Sequence, residues 1–312
     1  MKKSAIQMLF ICLTLLTSPL VMAENEPAAN AELQPIPQSD LIYMQLDTGL
    51  VVIQLAPFMA PNVSAQFKNL AQEGYYDGLD FYRVIEGFVA QGGDMNETKQ
   101  SPSNKVINDE LSRPLTVDSD FNSIQKPDFF ADETGFIQGF PAGRDLKTNE
   151  EWLLHCYGTV ALARETTINT GSSHFYITIG QAPRRLDRNL TVFGRVIYGM
   201  DKVQQIQRAP FGSPGIIENA ENRTGIVSMK TGNDVPASQQ MHFIQQPADS
   251  EAFQNRVQGA RTLSNDFYVD KGTGNVDVCV VQPNVTLKPA AERKSEASEQ
   301  SESQSSASGE QR

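Results

Sequence analysis

The chain is poor in the residues that metal and redox chemistry rely on. Of 312 residues, three are cysteine and three are histidine, His155, His174 and His242. No His-x-x-x-His, Cys-x-x-Cys or Gly-x-Ser-x-Gly spacing occurs, so metal sites and serine-type triads have little support and no cofactor is expected. Gln91-Gly92-Gly93 is followed by neither Lys-Ser/Thr nor a helix start, and reads as a strand end instead of a phosphate loop. Positive charge is also short: 26 Lys and Arg face 37 Asp and Glu, a net charge of -11 that repels phosphate backbones and anionic lipid, which argues against a nucleic-acid partner.

A long apolar run is missing too. Met1-Lys2-Lys3, the apolar stretch Met8 to Leu16 and the small-residue site ending at Ala23 have the layout of a secretory signal peptide over 1–23, with an apolar segment too short to span a bilayer. A mature chain is then expected to begin near Glu24, in the periplasm, with no membrane insertion and as a monomer. Loss of Lys2 and Lys3, with no acid in 1–23, takes the net charge from -11 to -13. Cys156 and Cys279 remain in a compartment expected to be oxidising. A disulfide between them and a pair of buried free thiols are both open readings.

Residues 24–40, with Pro27, Pro35 and Pro37 among small polar residues, read as a flexible tether, and the polar tail 289–312 has too few bulky apolar residues to order. Between them, 41–288 reads as one domain. Leu41 to Leu55 is a hairpin turning at Asp47-Thr48-Gly49; Pro61 to Glu73 is a helix with Val63, Phe67, Leu70 and Ala71 on one stripe. Stretches near 95–150 and 209–270 read as insertions, the first rich in loops. Strands are expected at Tyr157 to Ala163, Ser173 to Ile179, Leu190 to Ile197, Gly225 to Met229 and Val276 to Val281. Helices are expected at Met200 to Gln207 and Ser250 to Arg261. About eight strands joined by short turns, with two or three helices, predict a mainly β fold built on a closed eight-stranded antiparallel barrel.

The chemistry concentrates at Phe81 to Asp94, FYRVIEGFVAQGGD, where a guanidinium, Arg83, sits between two apolar strand patterns and Val89 and Gln91 share a face. Taken alone, Arg83 is a half-exposed arginine with a packed stem. The fourteen-residue stretch, however, resembles the active-site hairpin of cyclophilin-type peptidyl-prolyl isomerases. Asn169 to Gly180, NTGSSHFYITIG, and Leu186 to Met200, LDRNLTVFGRVIYGM, extend the resemblance over Leu41 to Gln207, closest to an exported proteobacterial branch.

The resemblance implies roles position by position. Arg83 matches the catalytic arginine and Gln91 the glutamine that orients it. Phe88, Tyr176 and Leu186 match the proline pocket, and Ala163 the residue whose backbone contacts the peptide before proline. Val89, Arg164, His174, Arg185 and Leu190 stand at substrate-binding positions where the family usually has methionine, asparagine, glutamine, tryptophan and histidine or tyrosine. His174 by itself reads as a hydrogen-bonding residue, since isomerisation needs no proton transfer. The altered rim makes binding of cyclosporin-like macrocycles doubtful. The implied function is isomerisation of X-Pro bonds in unfolded or partly folded exported polypeptides, assisting their folding. The alternative is a cyclophilin-like chaperone module that binds proline with little turnover.

Overall fold

The computed structural model describes residues 33–116 and 119–288. The segments read as signal peptide and polar tail lie outside them, as does most of the tether.

Eight strands form the barrel: β1 Leu41–Leu46, β2 Gly49–Leu55, β3 Asp80–Ile85, β4 Val89–Gly93, β5 Thr159–Leu162, β6 Phe175–Thr178, β7 Val192–Tyr198 and β8 Thr224–Thr231. They pair antiparallel in the order β5, β6, β4, β3, β8, β1, β2, β7, and β7 pairs back onto β5 to close the sheet. Closure leaves no unpaired edge to attract another chain. The two-residue period decides the rest. Ile42, Met44 and Leu46 of β1 meet Val51, Ile53 and Leu55 of β2 inside, while Leu41 and Tyr43 point outward against Val235 and Phe243.

Helix α1, Pro61–Gln72, starts with proline at its first position and ends before Gly74, whose φ of +66° suits glycine. It plugs the barrel with Phe67, whose ring lies 5.0, 5.3 and 4.9 Å from those of Tyr76, Phe175 and Phe193. Burial of such a side chain contributes about 1.5–3 kcal/mol. Helix α2 covers Met200–Val203, shorter than the expected 200–207, although Ile206 beyond it is still buried. Helix α3, Glu251–Thr262, is capped by Ser250, whose Oγ accepts from Phe253 N at 3.3 Å.

The stretch read as loops, 95–150, instead supplies most of a second sheet, with strands ordered Arg113–Pro114, Glu150–Leu153, Phe140–Asp145, Glu133–Ile137 and Asn122–Gln125. These strands are short and carry Gly, Pro and charge, which hides them from a pattern reading. What the pattern misses is pairing across the sheet: the buried Glu151 carboxylate receives Arg113 at 2.6 Å, Arg144 at 3.0 Å and the Ser119 hydroxyl at 3.0 Å. One face of this sheet, with Ile137, Phe140 and Leu153, packs on the barrel beside Val89 and Tyr176. Its other face, with Phe136, Trp152 and Leu154, packs on Phe253 and Val257 of α3.

The last residues of the expected tether are also structured: Gln34–Pro35 pairs with Phe243–Gln245, which pairs in turn with Val285–Leu287. The strand expected at 276–281 is absent. Asp277 folds that run into a turn, its carboxylate accepting from Cys279 N at 2.9 Å and its carbonyl from Val280 N at 3.0 Å.

Cys156 and Cys279 are bonded, their Cα atoms 5.1 Å apart across 123 residues of sequence, which resolves the open choice in favour of the disulfide. The bond pins this C-terminal turn to the end of the second sheet. Thiol titration of the denatured, unreduced protein is expected to find neither cysteine free. Reduction is expected to lower the melting temperature, a cross-link over a loop of this length contributing about 2–5 kcal/mol. An unchanged melting temperature would show that the turn holds without it.

Candidate active site

Arg83 and Gln91 are cross-strand partners on β3 and β4, so the register of the hairpin places the amide beside the guanidinium. Arg83 Nη1 donates to Gln91 Oε1 at 3.1 Å, and Nε donates to the Pro214 carbonyl at 3.3 Å. No carboxylate pairs with it in these contacts. The Nη2 hydrogens and the second Nη1 hydrogen take no part in these two bonds.

Behind Gln91 stands a residue that the sequence reading passed over, Tyr82. Its hydroxyl accepts from Gln91 Nε2 at 2.6 Å and lies 3.0 Å from His174 Nδ1. The Tyr82 hydroxyl can donate to Nδ1 when the neutral ring carries its proton on Nε2, or accept from Nδ1–H in the other tautomer. Tyr82 adjoins Arg83, but the register of β3 is irregular between Asp80 and Arg83, and a two-residue period does not foresee the contact. Gly93, with φ +135°, makes room for the histidine: a Cβ there would lie 2.8 Å from His174 Nδ1.

The residues matched to the proline pocket form one apolar cluster, two of them on the same hairpin as Arg83. Val89 and Tyr176 are buried in one cluster with Ala161, Ala163 and Val192, and Phe88, Leu186 and Leu190 pack half-buried against it. Arg185 brings its guanidinium carbon 5.2 Å from the centre of the Phe88 ring, roofing the pocket with a cation. Arg164 is taken up by its own loop and its neighbours instead, with Nη1 donating to the Glu165 and Thr166 carbonyls at 2.8 and 3.0 Å, Nη2 to the Asn189 carbonyl at 2.7 Å, and Nε 3.4 Å from Asp109. On the Ala163 side the pocket runs into a polar cleft of about 460 Å³ bordered by Gln91, Ala163, Arg164 and His174. The hairpin, the 163–164 turn, β6 and the 184–190 segment thus converge: the residues singled out from sequence share one site, apart from the head of Arg164.

The pocket floor is braced from below. Tyr176 O–H donates to His155 Nε2 at 2.8 Å, His155 Nδ1–H donates to Asp187 at 3.1 Å, and Arg184 Nε donates to the same carboxylate at 2.5 Å. This hydroxyl–imidazole–carboxylate chain is no nucleophile. Burial holds the Tyr176 phenol well above its ordinary value, and His155 is fully enclosed. Among the described residues, no group of His, Cys, Asp and Glu could hold a metal ion.

The barrel and this site set an apolar cluster on the same hairpin as an oriented cation. Comparison with known proteins narrows the class. The family model described as cyclophilin type peptidyl-prolyl cis-trans isomerase/CLD matches residues 41–230. A probable peptidyl-prolyl cis-trans isomerase of Brucella suis is 31% identical over 180 residues, 58% of this chain and 78% of its own. The Schizosaccharomyces pombe isomerase ppi1 is 31% identical over 160 residues, 51% of this chain and 79% of its own. The crystal structure of cyclophilin AquaCyp293 from Hirschia baltica superposes with a TM-score of 0.68 at 26% identity, covering 82% of this chain and 93% of that one. The chain belongs to the cyclophilin-type peptidyl-prolyl cis-trans isomerase family.

Burial lowers the pKa of His174, with Glu97, Asp94 and Glu165 acting in the opposite direction. A depressed histidine favours folding above its unfolded value near 6.5, and the contribution is lost as pH falls through the folded value. Protonation puts a hydrogen on both ring nitrogens, so the Tyr82 oxygen then takes Nδ1–H as well as Gln91 Nε2–H and can no longer donate to the ring. X-Pro isomerisation followed by NMR exchange is therefore expected to be flat above the unfolded histidine value near 6.5 and to fall on acidification below it, and Tyr82→Phe to flatten that fall. An acid limb unchanged in the variant would detach the relay from catalysis.

Proposed function

We propose that the protein catalyses rotation about X-Pro bonds in unfolded or partly folded polypeptides, and that it does so after export to an oxidising compartment such as the periplasm, where it assists folding. The observation that carries the catalytic reading is Arg83, oriented by Gln91 on the hairpin whose Phe88 and Val89 join Tyr176 and Leu186 in one apolar cluster. Export is supported by the Lys2-Lys3 and apolar pattern at the N-terminus and by the Cys156–Cys279 bond, since such bonds persist in oxidising compartments.

An X-Pro bond resists rotation by ~18–20 kcal/mol because the nitrogen lone pair is delocalised into the carbonyl. At the twisted transition state that lone pair returns to nitrogen. A guanidinium donating to it stabilises the twisted form more than either planar one, and it stays protonated throughout. Phe88, Tyr176 and Leu186 hold the ring while the acyl side, lying along Ala163, swings. No covalent step and no proton transfer is needed, which suits a site whose histidine is neutral and already bonded.

Arg83→Ala is expected to lower kcat/KM for a short X-Pro peptide at least tenfold, about 1.4 kcal/mol of transition-state stabilisation or more, with the circular-dichroism spectrum unchanged. Equal rates would leave a proline-binding module with little turnover.

The roof over Phe88 yields a second expectation. The Arg185 cation cannot offer a large apolar ligand the lid that an indole would, while the pocket floor remains intact for a proline ring. A cyclosporin-like macrocycle is expected to inhibit the wild type weakly and Arg185→Trp at least tenfold more strongly, as read by titration in the isomerisation assay. Tight inhibition of the wild type would show that Arg185 does not control the rim.

A further inference from the structure

A cavity of about 720 Å³ opens next to the proline pocket, between the 127–130 turn of the second sheet, the 180–184 connection and the 275–280 turn. Its border carries apolar side chains that the fold leaves uncovered: Phe129 is 92% exposed, Val280 80% and Phe130 51%. An apolar border of this kind marks an interaction site more often than chance exposure does. The walls are held in place. Cys279 is bonded to Cys156, and buried Arg184 pairs with Asp128 at 2.9 Å and with Asp187 at 2.5 Å while its guanidinium carbon lies 5.5 Å from the centre of the Phe130 ring. Arg184 is paired with its two carboxylates and the Asp277 carboxylate accepts from Cys279 N, so the exposed apolar border suits an apolar occupant.

This groove and the proline pocket share a wall. In the 3-10 helix Arg184–Leu186, Leu186 and Arg185 border the pocket, while Arg184 lies on the groove side beneath Phe130. The connection that leads into this helix backs onto the hairpin turn: Ile179 N donates to the Phe88 carbonyl at 2.9 Å, and a Cβ on Gly180 would lie 1.8 Å from the Gly87 carbonyl oxygen. The polar cleft bordered by Ala163 and His174 shares no lining residue with the groove. A chain that comes in along Ala163 and seats its proline over Phe88 therefore leaves across the 184–186 helix into the groove.

We propose that the groove binds the polypeptide segment that follows the isomerised proline, in extended form, through its apolar and aromatic side chains. This rests on the isomerase reading above and adds a second hold on unfolded clients. The protein's own C-terminal stretch 289–312 is a poor occupant, being almost devoid of bulky apolar residues.

The test uses three fluorescent peptides with one X-Pro bond: a tetrapeptide, the same peptide extended by eight residues with two phenylalanines after the proline, and the same extension placed before it. Anisotropy is expected to show at least fivefold tighter binding of the first extension than of the tetrapeptide, and no such gain for the second. Phe129→Ser/Val280→Ser, which alters exposed residues away from the pocket, is expected to abolish the gain and leave tetrapeptide isomerisation unchanged. A gain retained in the double variant, or equal for both extensions, overturns the proposal. So does a concentration-dependent dimer lost in the double variant, since a second copy would then be the occupant. Absence of tetrapeptide turnover in the wild type, with the binding gain intact, would remove the isomerase reading and leave the groove standing.

Discussion

The buried guanidinium of Arg195 is the interaction on which the assembly of three sheets depends. It projects from β7 and donates to Gln54 on β2 at 2.9 Å, to the Gly139 carbonyl in the second sheet at 2.6 Å and to Gln245 in the third at 2.6 Å, with its carbon 4.4 Å from the Phe140 ring centre. These partners are neutral, so burial without a counter-ion pushes its pKa down to about 9, still high enough to keep it charged at neutral pH. A cation removed from water is costly unless its donors are satisfied, and this one satisfies them only when barrel, second sheet and third sheet are in register. Each partner left unpaired in a misassembled form would cost about 1–3 kcal/mol. The arginine therefore contributes less to raw stability than to the choice of a single packing.

That choice reaches the active site through the second sheet. Phe140, under the Arg195 guanidinium, belongs to the same apolar cluster as Val89, Tyr176 and Ala163, so the layer locked by Arg195 also backs the proline pocket. The Tyr176–His155–Asp187–Arg184 chain continues from the pocket floor to the helix that walls it, and the disulfide fixes the residue next to His155. The added elements thus form the base on which the pocket rests. This matters for a catalyst whose work is positioning, because a shift of an ångström at the guanidinium forfeits much of its effect.

Polar groups near Arg83 share a common design. Gln91, Tyr82, His174 and the Pro214 carbonyl are all neutral, and none of them draws the guanidinium into an ion pair. The contrast with Arg184 is instructive: with two carboxylates about it, Arg184 is held above its ordinary pKa and serves as a strut. A cation meant to meet a transient lone pair has to be oriented but not neutralised.

The sequence by itself determined the barrel, and its resemblance to the cyclophilin-type isomerases singled out the residues that gather around the hairpin of Arg83. Strand alternation and turn residues are local signals, and Arg83, Phe88 and Gln91 lie on one hairpin whose register follows from its short turn. Cys156 and Cys279, by contrast, were two open possibilities until the fold brought residues 123 apart in sequence within bonding distance. The second sheet escaped the reading because strands such as FPAGRD and EEWL have no apolar alternation, and their order comes from long-range pairing and from charges buried against each other. Tyr82 escaped because a local irregularity in β3 aims its hydroxyl, and the run 276–281 misled because an aspartate turn and a buried Val278 outweighed its β-branched composition. What is encoded over a few neighbouring residues can be read from them. What depends on which distant donor meets which acceptor in the dry interior is decided only when the chain closes on itself.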